Sequence, residues 1–235
     1  MTISKLSIVV LVAAGGCASQ VDGTHQGQVL ASLEGTMQTA QSGSPITVDV
    51  SVVWVIGSGG TSFVGADKVQ VTGSLPSNFS LSIFNPPLDA VMSVWDGVKF
   101  GAALVTVEPT GVDPHEWQMW RGVENDHLLI YLPVTPPAGS AVAGLLHGTP
   151  TAGFHLYDVR RLTEAERQQR LACITQASGG LGHMITRSEI LAACGGDGHD
   201  ELSLAAKDLD TQLSIQIIGQ FGLDQFNALP SWMGL

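Results

Sequence analysis

The chain has 235 residues, 44% of them hydrophobic and 13% charged, with a formal net charge of −11. That much apolar material supports a real core, while the acidic balance argues against nucleic acid or an anionic membrane surface as a partner. The bases are unevenly placed: between residues 18 and 159 only Lys68, Lys99 and Arg121 stand against twelve acids.

Residues 1–16 read as an export signal. Lys5 supplies a small positive start, Leu6 to Ala14 is an unbroken run of apolar and small residues, and Ala14, Gly15 and Gly16 precede Cys17. The run is about nine residues, too short for a bilayer, which takes roughly 20. Small residues let a peptidase take the chain in extended form, and the Cys17 thiol is a natural acyl acceptor. This segment resembles the lipobox of bacterial lipoproteins, with Ala14 standing where that family usually has Leu. The resemblance implies cleavage before Cys17 and lipidation of its sulfur and new amino group with diacylglycerol and a fatty acid such as palmitate. More than one acyl chain makes a stable anchor where a single one does not. Ala18 and Ser19, in place of the Asp that retains such proteins at the inner membrane, imply the outer membrane. An ordinary secretory signal cut near the same place is the alternative. Residues 17–27 then form a polar tether.

From residue 28 the pattern turns to alternation. Val29, Ala31, Leu33 and Met37 share one face; Val48, Val50, Val52 and Trp54 alternate with Thr47, Asp49 and Ser51; Val69 and Val71 flank Gln70; Phe79, Leu81 and Ile83 alternate with serines. Further runs rich in β-branched residues fall at 100–108, 127–134 and 152–160, and Leu213, Ile215 and Ile217 alternate again near the end. Period-2 patterning with one polar face predicts antiparallel strands packed on one side. Turn signals at Ser42–Pro45, Gly57–Gly60, Pro76–Asn78 and Pro86–Pro87 separate the runs. The expectation is a mainly β domain over 28–235, an antiparallel β-sandwich, with a closed β-barrel as the alternative. The runs at 28–38, 78–84 and Asp126–Pro133 resemble bacterial lipoproteins with small β-sandwich domains, which implies a fold class and no activity.

Residues 162–195 change character. Thr163 with Glu166, and Thr186 with Glu189, match capping boxes, each followed by good helix formers, with Gly179–Gly182 between them. The expectation is a helical hairpin inserted before the final strand. With Cys17 taken by lipid, Cys173 and Cys194 remain as an even pair. An exported chain favours their disulfide, with two buried thiols as the alternative.

Chemistry is harder to read. The standard spacings of serine hydrolases, zinc peptidases, dithiol enzymes and phosphate loops are missing. His115-Glu116 lacks the second zinc histidine, and His155 and Asp158, three apart on one strand, point to opposite faces. The acidic run Asp197–Glu201 has oxygen ligands but no calcium-loop spacing, so it reads as a solvated turn. Trp95, Trp117 and Trp120 lie close in sequence to Asp96, Asp113 and Glu116, the pairing of apolar ring faces and acids that suits a sugar. Core packing is the competing reading for all three. The first functional expectation is therefore an envelope lipoprotein, membrane-bound through its lipid, with a non-catalytic binding or structural role. The rivals are a glycan-binding module using residues 95–121 and a hydrolase assembled from distant residues. No metal, cofactor or catalytic residue is assigned, and the protein or glycan partner is left open.

Overall fold

A computed structural model describes residues 27–40, 43–56, 62–178, 186, 189, 193–194, 202–219 and 222. The expected signal, Cys17 with the tether up to residue 26, the 179–182 loop and the 197–201 run lie outside the described residues.

The fold is mainly β, as two open, stacked sheets of unequal size. The small sheet has the order β11-β1-β4, from β1 (Ala31–Gln38), β4 (Ser77–Ile83) and β11 (Leu213–Gln216). β4 runs antiparallel to β1, and β11 pairs with β1 in parallel. The large sheet has the order β10-β9-β8-β6-β2-β3, from β2 (Pro45–Ile56), β3 (Ser62–Ser74), β6 (Val98–Pro109), β8 (His127–Leu132), β9 (Gly153–Arg161) and β10 (Leu202–Lys207). Short β5 (Ser93–Trp95) and β7 (Gly122–Val123) also pair with β6. Every pairing in the large sheet is antiparallel. Neither sheet closes on itself among the described residues, so the barrel alternative falls away.

The small sheet behaves as alternation demands. β1, β4 and β11 bury every second side chain, Leu33, Met37, Leu81, Ile83, Leu213 and Ile215 among them. Val29, expected on the same face, lies before the strand and is 45% exposed. The large sheet corrects the expectation of one polar face. In β2 Asp49 to Val55 are all buried, odd positions included, because the sheet is covered on both sides. One face meets the small sheet through Val50, Val52, Trp54, Val105 and Val107. The other is roofed by the chain after β6 and by α1 (Ala141–Leu145), packing Trp120, Val123, Val142 and Leu145 over Val53, Phe100 and Leu104. Gly65 permits this roof: Pro114 sits where a Cβ on Gly65 would be.

Three strands were illegible as runs. β5 and β6 form a hairpin turned by Asp96 (φ 48°) and Gly97 (φ 76°), the left-handed pair a two-residue hairpin requires. β7 and β10 are short or weakly apolar. The helical segment is therefore not inserted before the final strand: α2 (Glu164–Ala177) leaves from β9, and both β10 and β11 follow. Its capping box is in place, with Thr163 N donating to Glu166 Oε2 at 2.8 Å and Glu166 N to Thr163 Oγ1 at 3.4 Å. The same exchange joins Thr186 and Glu189. Cys173 and Cys194 form a disulfide with their Cα atoms 5.9 Å apart.

Candidate functional site

Three places gather chemistry. The first is a buried polar grid on the roofed face of the large sheet. Register sets Gln70, Asp49 and Glu108 side by side on β3, β2 and β6, and Lys68, Ser51 and Thr106 beside them. Cross-strand neighbours on one face touch, and like charges directly opposite repel. Asp49, Ser51, Thr106 and Glu108 are each at most 2% exposed. Lys68 Nζ reaches Asp49 Oδ2 at 3.0 Å, and the Gly111 N–H donates to the same oxygen at 3.3 Å. Among the described residues no base hydrogen-bonds to Glu108. Ser51 Oγ and Thr106 Oγ1 hydrogen-bond to its two oxygens, the latter at 3.1 Å. Burial, with Asp49 alongside, lifts its carboxyl to about 8 against these hydroxyls, so it is largely protonated at neutral pH.

The second place is the rim near β7. Glu124, 1% exposed, accepts from the His127 backbone N–H at 2.7 Å and lies 3.0 Å from His127 Nδ1. This bond raises the His127 pKa above its ordinary value, with Asp158 and Asp126 adding to it. Asp158, the register partner of His127, turns to Lys207 at 3.6 Å.

The third is a cleft of about 300 Å³ at the edge strand β3. A β-bulge makes it. Ser51 pairs with Lys68 and Val53 with Gly65, so Val52 faces two residues, Ala66 and Asp67. Such a bulge re-aims a side chain. Here Asp67 turns inward, 5% exposed, and accepts from the Phe84 N–H at 2.9 Å. Segment 85–88, carrying Pro86 and Pro87, forms the opposite wall, and Trp54 also lines the cleft. Proline cannot donate to a ladder, so β4 stops there, and β3 is the edge strand of the large sheet, pairing with β2.

Of the three tryptophans, Trp120 lies in the core and offers no surface to a ligand. Trp120 is fully buried, packs edge-on to Phe63 at 5.1 Å and donates its Nε1–H to Pro114 O at 2.8 Å. It is a core side chain, as the competing reading had it. Trp95 and Trp117 are half-buried against the same core, Trp95 edge-on to Phe100 at 4.9 Å. His155 reaches Thr151 O at 2.6 Å, and register keeps it opposite Ile130 while Asp158 lies opposite His127. Asp49, Asp67 and Glu108 were missed as site residues because adjacency across strands leaves no mark in spacing along the chain; Glu124, three residues before His127, was legible and overlooked. No family model, curated protein or solved structure matches this chain.

Proposed function

We propose that the chain is a lipid-anchored lipoprotein of a bacterial cell envelope, held at the outer membrane, whose β-sandwich has a non-catalytic binding or structural role. The observation that carries this reading is the Cys173–Cys194 disulfide. It pairs two of the three cysteines, as suits a chain exported to an oxidising compartment, and leaves Cys17, behind its apolar run and three small residues, for acylation. The binding part of the reading draws on the cleft. Its polar lining is Asp67 and Asn85, which suits holding a ligand better than transferring a proton. The grid's carboxyls are buried beneath the roof instead.

Mass spectrometry of the N-terminal peptide tests the anchor: a lipid-modified Cys17 with residues 1–16 removed is expected. Cys17→Ser should move the protein from membrane to soluble fractions. An unmodified N-terminus, or a Cys17→Ser protein that stays with the membrane, would refute the reading.

A further inference from the structure

The cleft at the β3 bulge lies where the chain enters the domain. A Cβ on Gly27, the first described residue, would lie 3.7 Å from Phe84 Cβ. Leu30 N donates to Ile83 O at 2.8 Å, and the Phe84 N–H is the one held by Asp67. Asn85, the next residue, is already in the cleft wall. Nine residues lie between Cys17 and Gly27, ten Cα-to-Cα steps along the chain. Fully extended they span at most ~35 Å. A leaflet holding an acylated Cys17 therefore cannot lie farther than that from Gly27, beside the cleft.

Exposed apolar side chains stand at this end, beside the exposed Asp89–Lys99 ion pair. Leu88 is 71% exposed, and Val29 and Leu30 are 45% and 47% exposed. Inside, Val64, Ala66, Pro86, Pro87, Val91 and Trp54 supply hydrocarbon surface. The volume lies at the lower end of the ~300–1,000 Å³ of small-molecule sites, suited to a slender guest. Among the described residues Asp67 is the one acidic or basic side chain lining the cleft. A guest that is apolar and slender, enters tail-first and leaves its headgroup outside matches these features.

We propose that the cleft receives an acyl chain of a membrane lipid, seating the sandwich against the leaflet to which it is tethered. The proposal rests on the lipid-anchor reading for its choice of guest.

The test uses the full chain as Cys17→Ser, released from membranes, titrated with the fluorescent long-chain fatty acid cis-parinaric acid and competed with lysophosphatidylethanolamine. Saturable binding at one site, reversed by the lysolipid, is expected. Ala66→Trp, at an exposed position on the bulge, fills the cleft, and Leu88→Asp charges its rim. Each should weaken binding roughly tenfold or more, the scale of losing one side chain's worth of apolar contact. Val134→Asp, also exposed but not part of the cleft lining, should leave binding unchanged. Unaltered circular dichroism and melting will show that both cleft variants fold. Absence of saturable binding, binding indifferent to both cleft variants, or displacement by indole or a Pro-rich peptide but not by the lysolipid overturns the proposal. The two readings fail separately. A lipidated Cys17 without cleft binding sinks only the cleft, and cleft binding by a chain whose Cys17 is unmodified sinks the anchor and the tethered seating while the acyl-chain site stands.

Discussion

The sandwich and α2 are held together by different physics. Between the sheets, Leu33, Met37, Val50, Leu81 and Ile215 are fully buried, and long-range apolar packing supplies the stability. Among the described residues of α2 only Arg170 is buried, and Leu171 is 45% exposed. What orders that helix is local: the capping box, a two-bond ion pair from Arg160 to Glu166 at 2.7 and 2.8 Å, Glu164 bonded to Arg167 and Gln168, and the disulfide. Arg160 and the Thr163 donors hold the Glu166 carboxyl down at about 2. One region will therefore lose its order as a unit, and the other can open by itself.

The sharpest way to break this contrast is Leu33→Ala. A fully buried Leu in the sheet interface should cost about 2–5 kcal/mol by urea unfolding, lowering the midpoint for every probe at once. A variant that loosened only the small sheet would show that the sandwich is not one cooperative unit.

Next comes Glu108, which makes the sandwich sensitive to pH. Its carboxyl is raised from 4.5 to about 8, so between these values the folded state holds a proton that the unfolded state has released. Stability from this group is present below pH ~4.5, falls as pH rises through that window and stays lost above pH ~8, at up to ~1.4 kcal/mol per pH unit. Glu108→Gln keeps the shape and a hydrogen-bonding side chain without the titration. It should match the wild type near pH 5 and exceed it by a few kcal/mol at pH 8.5, the profile of melting temperature flattening between. Identical pH profiles for the two proteins would show that Glu108 ionises normally.

Opening the staple should act only on the other region. Cys173→Ser with Cys194→Ser removes a cross-link 21 residues apart, worth roughly 3 kcal/mol on the chain-entropy model. Limited proteolysis should then cut within 162–195 while the β circular-dichroism signal and the main melting transition persist. Collapse of the whole domain in that variant would erase the distinction between the two regions. The smallest effect expected is from Thr163→Ala. Losing the cap should cost α2 about 1 kcal/mol, read as faster amide exchange over its first turn with the sheets unaffected.

What the residues alone determined about this protein is what short stretches of chain decide for themselves. Alternation located β1, β2, β3, β4 and β11, because the pleat imposes its period on whichever strand has a face to bury, and β-branched runs located β6, β8 and β9. Thr163-x-x-Glu166 located the start of α2, because a capping box is completed within one turn. Counting cysteines located the disulfide. The Asp96-Gly97 hairpin was equally local and was overlooked. Tertiary structure alone decided the rest. Asp49 and Ser51 read as a solvated strand face, and with Thr106 and Glu108 they are buried because a roof from residues 110–146 closes over them. Trp120 reads from sequence as core rather than rim, and Phe63 and Pro114 meeting it make it so. The cleft exists only because an extra residue in β3 turns Asp67 toward a backbone N–H on another strand's exit. Which faces are covered, and which carboxylates become neighbours, depends on pairing between segments tens of residues apart, and local pattern carries no record of that register.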